Sequence, residues 1–245
     1  MQNNMRYAGA LLLALLPNLA AAEALPSLDA RFETSQCAVP CQKPVKREWL
    51  MLRGANQVEL RDFNAKHSDL WQWQDGTLDY VYLMHDEKRA IDYTSIDLRL
   101  LGIGASEDKW QALAQLVKAS ELASLQKKPG QPYEKMATEI YQGKLNGVDT
   151  EITWIPALQI PLQVEYRYPK HHVTVKLVER YQGKLPVERT TNQVLQAYQH
   201  VDFVDIGDME HDKQAVAWLS AAKGAPGVHV HRHDHDEPHD HQHQH

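Results

Sequence analysis

Between Glu139 and Tyr181 apolar and polar residues alternate with a period of two, in three successive runs. Val148, Thr150, Ile152 and Trp154 fall on one side, with Asp149, Glu151 and Thr153 on the other. After a turn over Pro156 to Pro161, Leu162, Val164, Tyr166 and Tyr168 alternate with Gln163, Glu165 and Arg167, and Pro169 stops the run. Val173, Val175 and Leu177 repeat the pattern against Thr174 and Lys176. Successive side chains of a strand point to opposite faces, so the pattern predicts an antiparallel sheet with one apolar and one polar face. Asn146-Gly147 lies between two strand-forming runs and supplies the positive φ angles that a two-residue hairpin needs.

The same period appears upstream. Trp49 to Leu52 is apolar on both sides, which suits a central strand. Val58 and Leu60 alternate with charged neighbours, and Trp71 and Trp73 alternate with Leu70, Gln72 and Gln74. Asp75-Gly76 is a second hairpin signal. Leu78, Tyr80, Tyr82 and Met84 then share a face, and Arg89 to Tyr93 reads as a short strand, which makes a meander of four or five strands.

At Ser106 the period changes. Ser106 with Glu107 and Asp108 predicts a helix start, Trp110, Leu113, Ala114 and Val117 follow at helical spacing, and Pro129-Gly130 ends a helix of about five turns. Such a helix needs an apolar surface, and the sheet face is the sizeable one the chain offers. Thr191 to Tyr198 fits a short helix or a strand, and Val201 to Ile206 reads as a last strand. Asp208 to Ala222 reads as a helix carrying Val216, Trp218 and Leu219. The expected body is one α+β domain over residues 45–224, an antiparallel sheet packed by one or two helices.

The two ends read differently. Arg6, the apolar run Ala8 to Leu16 and the small residues Ala20 to Ala24 predict a cleaved secretory signal over residues 1–24. The apolar run is short for a membrane span of ~20 residues. Export places the chain in the periplasm if its source is a Gram-negative bacterium, and an integral membrane protein is not expected. Residues 25–44 contain Pro26, Pro40 and Pro44 and read as irregular. They hold both cysteines, Cys37 and Cys41, which predict a local disulfide in an oxidising compartment or a thiolate site for a soft ion such as Cu(I). The formal net charge of −6 and the lack of a basic stripe argue against nucleic acid as a partner.

From Val228 the composition leaves the globular range. His229, His231, His233, His235, His239, His241, His243 and His245 are interleaved with Asp234, Asp236, Glu237 and Asp240, so residues 225–245 are expected to be a disordered tail. Neutral imidazoles bind Zn, Cu and Ni, and a run of them offers several exchanging sites rather than one closed site. The other histidines, His67, His85, His171, His172, His200 and His211, read as surface or internally satisfied residues. No Gly-x-Ser-x-Gly, His-Glu-x-x-His, phosphate-binding glycine loop or nucleotide fingerprint is found, so enzyme activity is not expected. Tyr80, Tyr82, Trp154, Tyr166 and Tyr168 form an aromatic sheet face, either core under the helix or a pocket for an acyl chain or hydrophobic peptide.

Over residues 45–180 the layout, with Gly143-x-x-x-Gly147-x-x-x-Glu151-x-x-Trp154 and Leu158-x-Ile160-Pro161-Leu162-x-Val164, resembles the lipoprotein-carrier superfamily. That group includes periplasmic lipoprotein chaperones and envelope regulators of the RseB type. The resemblance implies a strongly curved half-barrel with helices plugging its mouth, binding lipid or acyl groups. The Cys pair and the His tail do not belong to that pattern. The leading expectation is therefore a periplasmic metal-binding accessory protein that sequesters or delivers Zn, Cu or Ni, partnered by a metal transporter or envelope protein. The alternatives are a lipid or lipoprotein carrier and an envelope regulator.

Overall fold

A computed structural model describes residues 25–62, 66–104 and 106–208. Its strands are β1 (Leu28–Ala38), β2 (Val45–Arg53), β3 (Gln57–Asp62), β4 (His67–Gln74), β5 (Thr77–Met84), β6 (Arg89–Tyr93), β7 (Gln126–Pro129), β8 (Glu139–Leu145), β9 (Val148–Ile155), β10 (Ile160–Arg167), β11 (His171–Arg180) and β12 (Gln199–Asp202). They form a single open, curved sheet of 12 strands in the order β12-β6-β5-β4-β3-β2-β1-β11-β10-β9-β8-β7. Two meanders, β1 to β6 and β7 to β11, lie side by side through the β1–β11 pair. All pairings are antiparallel except that of β12 with β6. The helices are α1 (Ser95–Leu100), α2 (Glu107–Gln115), α3 (Ala119–Ala123), α4 (Asn192–Gln196) and α5 (Phe203–Asp208).

Topology dictates where two long connections run. β6 lies near one end of the sheet and β7 forms the other, so Thr94 to Leu125 must cross the sheet. It crosses the inner face: Leu98, Trp110, Leu113, Ala114, Val117 and Leu125 join the main apolar cluster with Phe32, Met51, Trp71, Ile152 and Val164. Similarly, Tyr181 to Tyr198 runs from β11 in the middle to β12 at the edge, over the outer face. There Leu195 and Tyr198 pack on a small cluster of Leu70, Val81, Leu83 and Ala90.

Four expectations are corrected. Residues 25–44 are not irregular: β1 is an 11-residue strand in the middle of the sheet, paired with β2 and β11, so the domain starts well before Val45. Leu28, Ala30 and Phe32 are buried against Asp29, Arg31 and Glu33, a period of two that Pro26, Pro40 and Pro44 flank rather than interrupt. The five-turn helix is instead α2, a left-handed Leu116 with φ 64°, and α3, and Lys127 and Lys128 belong to β7. The helix bond expected from Lys118 N–H to the Ala114 carbonyl is replaced on both sides. Arg53 Nη1 donates to Ala114 O at 2.6 Å, and Lys118 N donates to Glu121 Oε2 at 2.9 Å. Glu139 to Tyr181 holds four strands rather than three, because the run before Asn146-Gly147 is β8. The last strand ends at Asp202, where α5 turns the chain around the sheet edge so that Phe203 stacks on Tyr93 at 4.5 Å. α1 was not expected at all; a capping box builds it, with Thr94 N–H donating to Asp97 Oδ2 at 2.7 Å. Thr191 to Tyr198 resolves as α4, capped by Thr191. The helix expected over Asp208 to Ala222 and the tail from residue 225 lie outside the described residues.

Candidate functional site on the inner face

Alternation puts every other side chain of β1 to β6 and β8 to β11 on the inner face, and these strands are rich in aromatics there. Trp71 stacks on Tyr80 at 4.3 Å, Tyr80 lies 4.9 Å from Tyr93, and Tyr93 meets Phe203. In the other half, Tyr166 lies 6.5 Å from Tyr168, which stacks on His171 at 4.3 Å. Phe32 and Trp49, stacked at 4.8 Å, stand between the halves on β1 and β2. Of the expected aromatic face, Tyr80, Tyr82, Trp154 and Tyr166 are only 1–7% exposed and Tyr168 is half-buried. They all belong to one apolar cluster, but Tyr80 and Tyr82 sit on β5, and Trp154 and Tyr166 on β9 and β10, with Tyr168 just beyond β10, towards opposite ends of the sheet.

The cover over this face is short and pinned at few points. Arg53, fully buried, donates through Nε to Pro26 O at 3.0 Å and through its two Nη atoms to the carbonyls of Ala114, Gln159 and Leu158. One guanidinium thus ties the end of α2 to the 3-10 turn Pro156–Leu158. Burial pulls its pKa down to about 10, which still leaves it charged at neutral pH. Lys109 on α2 lies 5.7 Å above the Trp71 ring, its pKa lowered by burial and by Lys118. α1 buries Leu98 and its capping Asp97 and exposes Arg99, Ile96 (60%) and Leu100 (77%), with Leu101 (47%) as its C-cap, so it carries apolar side chains both towards the sheet and towards solvent.

Besides Arg53, a buried polar pair enters the apolar face on β4 and β5. Asp69 on β4 is fully buried, and Tyr80 OH donates to its Oδ1 at 2.6 Å. Burial first, then the Asp69 charge, push the Tyr80 and Tyr82 hydroxyls up, Tyr82 to about 12. Both phenols stay neutral, so they add no charge to the face. Sequence reasoning missed Arg53, Asp69 and Phe203. Parity alone would have placed Asp69 inward, between His67 and Trp71.

The other expected sites fare differently. Cys37 and Cys41 form a disulfide with a Cα separation of 5.2 Å, which corrects the thiolate reading, since the two sulfurs bond each other. Cys37 pairs across the strands with His172, and Ala38 with His171. The tail ligands His229, His231, His233, His235, His239, His241, His243 and His245 all lie outside the described residues. Among the described residues no group of three His, Cys, Asp or Glu could hold a metal ion. An open depression of about 410 Å³ is lined by Gln142, Lys144, Asp149, Glu151 and Arg167 on the outer face. Its rim is charged, with Arg167 and Glu151 3.8 Å apart, and no aliphatic or aromatic residue lines it. No helix of the described residues is long and apolar enough to cross a membrane.

No family model matches the chain, and no curated protein matches it. Solved structures give slight likenesses. A structure of PNGF-II is 7% identical with a TM-score of 0.37, over 76% of this chain and 34% of that one, so this chain spans about a third of its length. A LolA superfamily protein from Nitrosomonas europaea is 9% identical with a TM-score of 0.28, over 65% of this chain and 87% of that one. An outer membrane lipoprotein-sorting protein domain from Vibrio parahaemolyticus is 8% identical with a TM-score of 0.26, over 67% and 89%. The structural neighbours thus include the superfamily that the sequence resembles, and likeness this slight carries over neither ligand nor activity.

Proposed function

We propose that the chain is an exported, periplasmic, non-enzymatic carrier that holds an apolar ligand, an acyl chain or a hydrophobic peptide, between the inner face and its helical cover. The observation that carries this reading is α1. A six-residue helix with apolar side chains on both sides suits a lid, resting on the sheet when empty and on the ligand when loaded. The cover around it is equally slight, with α2 of 9 residues and α3 of 5 joined through a left-handed Leu116. Aromatic and aliphatic side chains with a few fixed polar groups are the ordinary lining of sites for apolar ligands. The ligand would be passed to or from another envelope protein. Titration with a fluorescent fatty acid tests the reading. Saturable binding, displaced by an unlabelled acyl chain, is expected; a signal that neither saturates nor is displaced contradicts it.

A second reading concerns the tail and rests on sequence alone: eight histidines within the last eighteen residues. We propose that they bind Zn, Cu or Ni in exchanging fashion, beside the carrier body and for delivery to a transporter. Removing the residues after Val228 should abolish most zinc uptake measured by calorimetry; unchanged stoichiometry contradicts the reading.

A further inference from the structure

On the outer face the segment Tyr181 to Tyr198 forms a strap fastened by polar groups. Tyr181 N donates to Asp29 O at 2.8 Å, and Arg189 pairs with the Asp29 carboxylate. Arg61 Nη1 donates to the Glu188 carbonyl at 3.2 Å, and Thr190 N donates to Glu59 Oε2 at 3.3 Å. At its far end Tyr198 OH meets His85 Nδ1 at 2.8 Å, while His85 Nε2 meets Ser68 Oγ at 2.9 Å and lies 3.7 Å from Glu59 Oε1. Beyond Tyr198 the chain adds β12 to the sheet edge and delivers Phe203 onto Tyr93. One segment therefore connects a buried polar cluster on the outer face to the aromatic stack on the inner face.

We propose that this strap is a proton-operated latch: protonation of His85 releases Tyr181 to Tyr198 from the outer face and draws Phe203 off Tyr93. The imidazole is 11% exposed and is covered by Tyr198, so a charge placed on it is solvated only when the strap leaves. The groups that face it are Glu59 and Arg61 on β3, His67 and Ser68 on β4, Asp86 in the following turn, and Tyr198 on the strap. Burial above all, then the Arg61 and His67 charges, pull its pKa to about 4, against the upward pull of Asp86. Glu59 Oε2 takes the Thr190 amide, and Oε1, which accepts no hydrogen bond, stands between Arg61 at 3.9 Å and His85 Nε2 at 3.7 Å, so Arg61 competes with the imidazole for it. The cluster is not a nucleophilic set. Ser68 is fully buried, and Ser68 and Glu59 approach the same ring nitrogen, which leaves the carboxylate unable to orient the ring from behind.

The sign follows from linkage. A histidine depressed in the docked state binds more protons in the released state, so docking weakens as pH falls from 6.5 towards 4. Through His85 alone the docking equilibrium drops about 30-fold between pH 7.5 and 5. His200, on β12 just beyond the strap, acts oppositely. Burial lowers its pKa, but the Leu195 carbonyl and Asp92 outweigh that and raise it, so its contribution is already complete below 6.5 and adds no slope there. The release stands independently of what the inner face binds.

The full chain carrying 3-fluorotyrosine, followed by fluorine NMR from pH 7.5 to 4.5, tests the latch, with Tyr198, Tyr93 and Tyr166 assigned by single Tyr→Phe variants. The Tyr198 signal should pass to a released position with the Tyr93 signal moving in step, while Tyr166, in the other half of the sheet, stays put. His85→Gln and His85→Asn, neither of which titrates, should each abolish the transition. The latch is overturned by a Tyr198 signal that stays docked or tightens, by the same transition persisting in both variants, or by Tyr166 changing at the same midpoint, which would mark general unfolding.

Discussion

Arg53 donates four side-chain hydrogen bonds to backbone carbonyls. Its guanidinium satisfies carbonyls from the N-terminal segment, α2 and the 3-10 turn. Arg53→Met should cost about 3 kcal/mol in urea unfolding, because several buried carbonyls lose their donor at once; a loss below about 1 kcal/mol would show that water replaces it without difficulty. Tyr80→Phe should cost about 1–3 kcal/mol by removing a donor from buried Asp69. Gly147 has φ +82° in the hairpin after Asn146, so Gly147→Ala should cost about 1–2 kcal/mol from left-handed strain alone, since nothing lies within 4 Å of an added Cβ. At this scale much was legible. The parity that put Tyr80, Tyr82, Trp154 and Tyr166 on one apolar face holds in the structure. Arg53 was hidden because a charged residue ending a strand reads as solvated until its carbonyl partners, 27 to 106 residues away, are known.

Among the elements, the strands were readable and the helices were not. Strand identity follows from a period of two, which survives without knowledge of neighbours. Helix length does not: the apolar stripe from Trp110 to Leu125 is real and buried, but its continuity breaks where Arg53 claims the Ala114 carbonyl. β1 was misread because three prolines around it were given more weight than the alternation between them. α1 depends on its capping box and packing rather than on length, since six residues are too few to be stable alone. Hydrogen exchange should therefore be faster in α1 to α3 than in β4 and β5. Adding an apolar ligand should slow the former and leave the outer-face strap unchanged. Equal protection of cover and sheet in the empty protein would argue against a lid.

For the molecule as a whole, the strand order was beyond the sequence, because both meanders close locally and nothing local says that β1 joins β11. That pairing fixes the rest. It sends one connection across the inner face as a cover and another across the outer face as a strap, and the proposed site depends on the thinness of that cover. The proposed metal-binding tail makes a separate claim at this scale. Zinc occupancy should fall as pH drops below ~6.5, since protonated imidazole cannot ligate. A flat titration from pH 7.5 to 5 would contradict it. The most direct measurement for the carrier reading is photo-crosslinking with a diazirine fatty acid, the adducts being mapped by mass spectrometry. Saturable adducts on inner-face residues such as Tyr82, Trp110, Trp154 and Tyr166 are predicted, and adducts confined to the outer face, or none that saturate, would contradict the account.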